Sequence, residues 1–325
     1  MADLTTLPDT KTAALFPGAP LIESPIFDSE DLAGFSDQEK TLARELNTDG
    51  FGVIDFPDPD IDARIDRIKS NLGPGFGIPL DDPGADKTKG ERRVQDAWTT
   101  DEDVHAIASN PAILDLLSKL YGRRAFPFQT LNFPVGTQQA PHADSVHFSS
   151  LPERFMCGVW LAMEDIAAEA GPLFYVRGSH RWPIISNAMI GRRGYGSDLH
   201  SAQAPYADAW QALCETHDKK QEPFLARKGQ ALIWTANLLH GGSRQTDPTL
   251  TRWSQVTHYF FDDCIYYTPA FSDEALGQLA LRNLVSVSDQ TPKPNTYLGE
   301  VLASAKSNEP ASLRSRAKRL LGRRN

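Results

Sequence analysis

The first third of the chain carries hydrophobic patterns of helical spacing that are broken by loops. SDQEKTLARELNTDG predicts a helix, because Ser36 is a candidate N-cap with Glu39 three residues later and Gly50 stands at the end. FGVIDF (51–56) predicts a strand, and DIDARIDRIKSNL predicts a second amphipathic helix. DEDVHAIA and PAILDLLSKLYG predict two further helices, the second opened by a proline suited to a first turn.

Two stretches of this region have neither a helical nor a strand period. Residues 1–25 are rich in proline, and we expect them to form an extended, loosely attached arm. GPGFGIPLDDPGADKTKGERR consists of loop-forming residues throughout, and its length suggests a functional lid or a binding loop.

From about residue 125 the pattern changes to short β-rich segments separated by Gly, Pro and Asp turns. The segments are FPFQTLNF, SVHFSS, RFMCGVWLAM, PLFYVRG, QALIWTA and RWSQVTHYFF, a series typical of an antiparallel sandwich or jelly roll. An insertion of mixed signals occupies about 181–228. We therefore predict a mainly β protein with flanking helices: one domain over 26–270, followed by a helical C-terminal extension over 271–325.

Composition agrees with one large globular domain. The 325 residues are 40% hydrophobic and 23% charged, and no apolar run approaches the roughly 18 residues that span a bilayer. The N-terminus lacks the apolar core of a secretory signal. The three cysteines have no C-x-x-C spacing, so we expect neither a disulfide framework nor structural zinc, and a cytoplasmic location.

The net charge of −9 argues against nucleic acid as the partner of the whole domain and leaves a small molecule as the expected ligand. The tail ASLRSRAKRLLGRRN differs, with six Lys or Arg residues and no acid. A solvated or domain-packed helix is one interpretation of residues 311–325, and weak peripheral contact with an anionic membrane is another. Nothing in the sequence indicates the oligomeric state.

The segment QQAPHADSVHF holds the first candidate metal ligands. In an extended segment, His142 and Asp144 would project on the same side, two residues apart. An imidazole and a carboxylate form two adjacent corners of an octahedron, and a second histidine completes a face that leaves three positions open. This arrangement suits ferrous iron, which must bind a co-substrate and O2 together. The candidate third ligand is His240, which follows an apolar strand and precedes a Gly-Gly turn.

Arg252 follows His240 by twelve residues and opens the segment RWSQVTHYFF. A strand–turn–strand hairpin would place its guanidinium behind the metal, where it could hold the distal carboxylate of a dicarboxylic co-substrate. For each histidine taken alone, the alternative is a structural role. For Arg252 the alternative is a surface ion pair. The combined spacing is far more specific than any of its parts.

In these motifs the chain resembles the phytanoyl-CoA dioxygenase-like (PhyH) family of iron(II)/2-oxoglutarate oxygenases. The resemblance is carried by FQTLNFPVGTQQAPHADSVHF, by MCGVWLAMEDIAAEAGPLFYVRGSHRWP and by LLHGGS followed by an arginine, within residues 45 to 265. It implies a double-stranded β-helix, that is, a cupin-like jelly-roll core. It also implies that iron is bound by His142, Asp144 and His240, and 2-oxoglutarate by Arg252.

The resemblance implies further contacts to 2-oxoglutarate from Gln129, from the aromatic wall residue Trp160 and from Ser243. The alternative for Gln129 and Ser243 is that they are buried polar groups hydrogen-bonded within the protein, and the alternative for Trp160 is core packing.

The substrate would enter the site through the mouth of the barrel. Loops in this family often fold over the barrel, which would bring Arg93 and Gln95 to the mouth, although a solvated loop is the alternative. His147 could line the same pocket or simply pack in the core. Such residues favour a small polar metabolite or a saccharide-like substrate.

We expect a dioxygenase that uses Fe(II), 2-oxoglutarate and O2, releases succinate and CO2, and hydroxylates an unactivated C–H bond. Related halogenating enzymes have a small residue in place of the carboxylate, so Asp144 favours hydroxylation. Two alternatives stay open, a non-catalytic jelly-roll binding protein and a cupin-like metalloenzyme that does not use 2-oxoglutarate.

Overall fold

A computed structural model describes residues 7–196 and 203–302 of the chain. The helices are α1 (Lys11–Leu15), α2 (Asp37–Asp49), α3 (Ile61–Leu72), α4 (Glu102–Ala108), α5 (Pro111–Tyr121) and α6 (Ala207–Thr216). The strands of the domain are β1 (Phe51–Asp55), β2 (Val94–Gln95), β3 (Ala125–Phe133), β4 (Ser149–Leu151), β5 (Met156–Ala162), β6 (Leu173–Tyr175), β7 (Glu222–Pro223), β8 (Gln230–Thr235), β9 (His240–Gly242), β10 (Ser254–Phe261) and β11 (Ile265–Tyr267). No helix in these two ranges has both the length and the apolar character needed to cross a membrane.

The four predicted helices are confirmed as α2, α3, α4 and α5. In α2 the Ser36 hydroxyl accepts the amide N–H of Glu39, and the Glu39 carboxylate accepts the amide N–H of Ser36 in return. Gly50 ends the helix with φ +86°, a left-handed conformation that glycine adopts without a steric penalty. Local sequence therefore decides where this helix begins and ends.

The β-rich segments form two main antiparallel sheets, and β4 pairs separately with β11. The large sheet has the order β1-β8-β5-β10-β3-β2, and the small sheet has the order β7-β6-β9. His142 joins the free edge of β9 through a bridge to His240. The predicted double-stranded β-helix (jelly roll) with flanking helices is confirmed.

Strand alternation divides the core into two layers. In β5, Cys157, Val159 and Leu161 pack in the cluster that includes the apolar faces of α2, α3, α4 and α5. The alternating residues Trp160 and Ala162 point the other way and pack with residues of β6 in the sandwich interior. Because successive side chains of a strand lie on opposite faces, the central strands are buried on both sides. The candidate site lies in this interior layer.

The N-terminal arm differs from the prediction. Its described part packs against the domain. Leu21 and Ile22 are 1% and 0% exposed, and they belong to the core cluster that includes the apolar faces of α2 to α5. Glu23 forms an ion pair with Arg154 at 2.5 Å. The apolar residues lie in a short 3-10 turn, so burial occurs without the periodicity that would have revealed it.

The prediction of a helical C-terminal extension is wrong for its described part. Residues 272–302 contain a 3-10 turn and two small ladders, β12 (Leu284–Val285) with β13 (Pro292–Lys293) and β14 (Thr296–Tyr297) with β15 (Glu300–Val301). Pro292 and Pro294 lack the N–H that a helix interior needs, and Gly299 adopts φ +80°. The basic tail 311–325 and residues 197–202 of the predicted insertion lie outside the described residues.

The long loop between α3 and β2 is fastened to the domain. Lys87 is 2% exposed, and its ammonium donates to the carbonyls of Thr249 at 2.7 Å and Asp82 at 2.8 Å. Arg92 donates to the carbonyl of Gly136 at 2.8 Å. These bonds hold the end of the loop against Gly136, which follows β3, and against Thr249, which precedes β10.

Candidate metal and co-substrate site

Two candidate ligands, His142 and His240, lie opposite each other across neighbouring backbone segments. The amide of His142 donates to the carbonyl of His240 at 3.0 Å, and the amide of His240 donates back at 2.9 Å. In such a hydrogen-bonded antiparallel pair both side chains leave on the same face of the sheet. The ring centroids are 4.4 Å apart. Strand pairing thus brings together two histidines that are distant in sequence.

Backbone carbonyls orient both imidazoles. Nδ1 of His142 donates to the carbonyl of Ala140, and Nδ1 of His240 donates to that of Leu238, each at 3.0 Å. The proton on each Nδ1 leaves the lone pair on Nε2, which is the atom a metal ion needs. On His142 this lone pair accepts a bond from the Gln139 amide at 3.1 Å, which a bound metal ion would replace.

Asp144 completes the group, though not from the continuous extended segment that the motif suggested. Ala143 is extended, and Asp144 begins a 3-10 turn. Its Oδ1 lies 3.8 Å from Nε2 of His142, and its Oδ2 lies 3.7 Å from Nε2 of His240. Ligand atoms of the three residues all lie within 4.8 Å of one another.

Burial and neighbouring groups determine the charge states in this cluster. Burial acts to raise the pKa of Asp144, but the imidazoles of His240, His258 and His142 and the indole of Trp234 together hold it below its usual value. Burial, and then His240, lower the pKa of His142 to about 3. Near neutral pH the cluster therefore offers an ionised carboxylate beside a neutral imidazole, the protonation states that metal binding requires.

The donor set fits a divalent transition metal. Ligands on adjacent corners around an ion at about 2.0–2.2 Å lie about 3 Å apart, and the His–Asp separations of 3.8 and 3.7 Å, measured to the two oxygens of the Asp144 carboxylate, approach that spacing. Two histidines and one carboxylate on one face are the set typical of non-haem iron(II) oxygenases, because the opposite positions stay open. Here the open side faces a cavity of about 290 Å³.

Arg252 lies in the same cavity without a partner. Its side chain is 3% exposed and makes no hydrogen bond or ion pair within residues 7–196 and 203–302. Burial lowers its pKa to about 10, and Glu164 only partly offsets this effect. The ring of Trp160 lies 5.5 Å from the guanidinium carbon. A buried cation without a counter-charge is costly, so an anionic ligand is needed to complete this part of the cavity.

His258 belongs to the cavity but was absent from the predicted site. It lies opposite Gln129 in the β3–β10 register, and its Nδ1 donates to Oε1 of Gln129 at 3.1 Å. Its Nε2 lies 3.7 Å from Oδ2 of Asp144. Alternation could have revealed it, since residues 252, 254, 256 and 258 share one face of an extended strand. Ser254 shares that face and has a buried hydroxyl without a partner in the described residues.

Most of the other predicted site residues also line the cavity. They are Arg93, Gln95, Gln129, His147 and Trp160. Ser243 is not among the lining residues, and its amide donates to the carbonyl of Pro172 at 2.8 Å.

Gly241 and Gly242, which follow His240, line the cavity wall where Ser243 was predicted to contact the co-substrate. A Cβ on Gly241 would lie 2.6 Å from the carbonyl oxygen of Gln139, and one on Gly242 would lie 2.9 Å from the amide nitrogen of Gln138. Only glycine therefore permits β9 to approach the segment before His142 so closely.

Comparisons with known proteins agree with this geometry. Residues 79–249 match the family described as Phytanoyl-CoA dioxygenase (PhyH). A curated relative, Phytanoyl-CoA dioxygenase domain-containing protein 1 of Danio rerio, is 22% identical over 163 residues, which are 50% of this chain and 49% of the relative. The chain thus spans about half the length of that relative.

Solved structures share the fold. The epimerase SnoN in complex with Fe3+, alpha ketoglutarate and nogalamycin RO is 18% identical with a TM-score of 0.53, over 70% of this chain and 86% of that one. The carbocyclase SnoK is 17% identical with a TM-score of 0.54, over 75% and 91%. EctD from S. alaskensis with 2-oxoglutarate and 5-hydroxyectoine is 17% identical with a TM-score of 0.53, over 74% and 80%. At these identities the similarity concerns the fold.

Proposed function

The chain belongs to the phytanoyl-CoA dioxygenase (PhyH) family, and from this premise we propose that it is an Fe(II)- and 2-oxoglutarate-dependent dioxygenase. Its reaction would hydroxylate an unactivated C–H bond of a small polar or saccharide-like metabolite. One observation carries the proposal: an open His-Asp-His face and an unpaired buried arginine share one cavity. Together they match the two ends of a 2-oxo dicarboxylate, of which one end chelates a metal and the other carries a negative charge.

The protein's part at the metal is to present three donors in fixed protonation states. Bound Fe(II), with 2-oxoglutarate and O2, would supply oxidative decarboxylation to succinate and CO2 and the oxidation of the C–H bond. His142 and His240 present Nε2 because their Nδ1 protons are held by backbone carbonyls. Asp144 contributes the negative charge, and Trp234 restrains its carboxylate through a bond of 2.8 Å.

The protein's part at the co-substrate is to bind and orient a carboxylate away from water. Arg252 would donate two parallel N–H bonds to the distal carboxylate, with Trp160 covering the guanidinium. Ser254 offers a hydroxyl on the same face, and Gln129 offers an amide whose oxygen is already held by His258. The neighbouring wall is apolar and excludes water, being formed by Leu131, Phe133, Leu173 and Val256.

Polar groups on the remaining wall support a polar substrate. Arg93, Gln95 and His147 line the same cavity and are not among the residues that would hold the co-substrate. The chemical outcome is a separate question, because similar folds include proteins described as an epimerase and a carbocyclase. The product mass distinguishes the outcomes: a hydroxylated product gains one oxygen atom, an epimer keeps its mass, and a new ring loses two hydrogens.

The proposal is tested by anaerobic reconstitution with Fe(II) and 2-oxoglutarate, followed by addition of O2 and measurement of succinate. We expect a visible charge-transfer band before O2 and Fe(II)-dependent succinate after it. Asp144→Asn removes the charge but keeps an acceptor for Trp234, and should reduce succinate formation more than about 100-fold, since ligand loss exceeds the usual effect of outer-shell changes. His217→Ala, an exposed histidine outside the cavity, is the matched control.

The outcome of reconstitution also separates the alternatives. A protein that binds metal but forms neither the band nor succinate is a metalloprotein that does not use 2-oxoglutarate. A protein that binds no metal is a binding protein, and either result would overturn the proposal.

A further inference from the structure

We propose that the substrate is an anion, and that its single negative group is bound by Arg93 at the mouth of the cavity. This inference rests on the proposed function and names the substrate class for the same site. A carboxylate is the expected group, because it pairs with a guanidinium through two parallel hydrogen bonds.

Strand geometry directs Arg93 into the cavity. Gln95 lies opposite Leu131 in the β2–β3 register, and both residues line the cavity. Arg93 stands just before β2, two residues from Gln95, and both residues line the cavity, as alternation predicts. Val94, between them, points to the other face, is 36% exposed and is not a lining residue.

The loop before Arg93 holds the residue in place. Arg92 spans two segments, donating to the carbonyls of Gly136 at 2.8 Å and Thr88 at 3.0 Å. Lys87, buried five residues earlier, donates to the carbonyl of Thr249. Such anchoring lowers the ordering cost of binding, because the loop does not have to be fixed by the ligand.

Arg93 lines the cavity as an exposed side chain. Unlike Arg92, it makes no hydrogen bond or ion pair with any residue in the part of the chain that the structure describes. Among the Lys, Arg, Asp and Glu residues that line the cavity within the described ranges, Arg93 and Arg252 carry positive charge and Asp144 carries negative charge. The mouth therefore presents a free guanidinium and no acid to neutralise it.

Charge balance then assigns the sign of the substrate. In the loaded site, the two positive charges of Fe(II) and the one of Arg252 would be offset by Asp144 and the two negative charges of 2-oxoglutarate. The histidines that bind the ion are neutral. The remaining charge is that of Arg93, and one negative group on the substrate would neutralise it. A neutral sugar would leave the guanidinium unpaired when it covered the mouth.

The test uses matched pairs of acids and amides as probes of the Fe(II)·2-oxoglutarate protein under argon. The pairs are glucuronate and glucuronamide, N-acetyl-L-leucine and its amide, and cyclohexanecarboxylate and its amide. Binding is read from the perturbation of the charge-transfer band and, independently, from tryptophan fluorescence, since Trp160 and Trp234 line the cavity. Phosphate monoesters form a further arm that distinguishes carboxylate from phosphate recognition.

In wild-type protein, we expect at least one acid to bind about 10-fold or more tightly than its amide, the size of a partly exposed charge-assisted contact. This preference should vanish in Arg93→Gln and be partly retained in Arg93→Lys. It should persist in Arg44→Gln, which changes an exposed arginine of α2 outside the cavity.

Three results would overturn the inference: equal affinity for acid and amide, a preference that survives Arg93→Gln, or no binding by any acid of the panel. Preference for the phosphate esters over the carboxylates would retain the anion and Arg93 but correct the group. Failure of the proposed function looks different, because the charge-transfer band would then be missing before any probe is added.

Discussion

The indole N–H of Trp234 donates to Oδ2 of Asp144 across 2.8 Å, linking residues ninety positions apart in sequence. Trp234 lies on β8 in the large sheet and is 1% exposed. Its ring packs against Gly158 so closely that a Cβ there would lie 2.2 Å from it. The sheet therefore determines where the carboxylate of Asp144 points, since neither the ring nor its neighbour has room to shift.

Replacing Trp234 with phenylalanine removes the N–H and keeps an aromatic ring. We expect Trp234→Phe to weaken Fe(II) binding about 10–100-fold, because partners that orient a metal ligand contribute affinity of that order. Competition with a chromophoric chelator would measure it. Trp98→Phe, which removes an indole bond to the carboxylate of Asp96 outside the cavity lining, should leave the affinity unchanged. Equal affinities of wild type and Trp234→Phe would show that the hydrogen bond has no such role.

The unpaired guanidinium of Arg252 gives a prediction about the co-substrate. Arg252→Lys keeps the positive charge but loses the planar fork, and we expect the KM for 2-oxoglutarate to rise about 10–100-fold. Steady-state succinate formation at varied 2-oxoglutarate is the measurement. Arg154→Lys, in the ion pair with Glu23 outside the cavity, is the control. An unchanged KM in Arg252→Lys would remove Arg252 from the co-substrate site.

The pairing of His258 with Gln129 predicts that the two residues act as one unit. His258 holds the oxygen of the Gln129 amide, which leaves the NH2 group to donate into the cavity. We expect His258→Phe and Gln129→Leu each to weaken 2-oxoglutarate binding several-fold, and the double variant to be no weaker than the worse single one. Titration of the Fe(II) protein under argon would give the three affinities. Strictly additive losses would mean that His258 acts independently of Gln129.

His180 predicts how stability depends on pH. Burial lowers its pKa to about 4 from 6.5, its Nε2 donates to the carbonyl of Asn47, and its Nδ1 has no partner within the described residues. The unfolded chain therefore takes up this proton before the folded protein does, so the contribution is present above about pH 6.5 and is lost as the pH falls towards 4. At about 1.4 kcal/mol for each pKa unit, the loss is on the order of 3 kcal/mol.

Urea unfolding of metal-free protein at several pH values would measure this loss. His180→Gln, which can still donate to Asn47 but does not titrate, should show a shallower decline between pH 6.5 and 4. His217→Gln, exposed on the surface, should decline as wild type does. Parallel pH profiles for wild type and His180→Gln would contradict the prediction.

Several parts of the molecule follow from short stretches of sequence. The period of 3.6 residues and the Ser36–Glu39 capping box predict α2, because a helix depends on neighbours a few residues away. The alternating β-rich segments predict strands for the same reason, and their number and spacing indicate a jelly roll, but the order in which the strands pair is not local. The spacing of His142, Asp144 and His240 predicts a three-residue cluster, and these residues do converge. For their described parts, the predictions of a loosely attached arm and of a helical C-terminal extension are wrong, since the burial of the one and the strand pairing of the other have no periodic signal in the sequence.

Alternation along the chain predicts which residues share a face: it puts Arg93 on the face of Gln95, and Arg252 on the face of His258. Which groups meet across strands, and which are left unpaired, depends on how the whole chain folds. Strand register and burial determine the bonds of Trp234 to Asp144 and of His258 to Gln129, and they also leave Arg252 without a partner among the described residues. A period of two residues specifies a face but not a cross-strand partner, because the partner is set by packing of the whole sandwich.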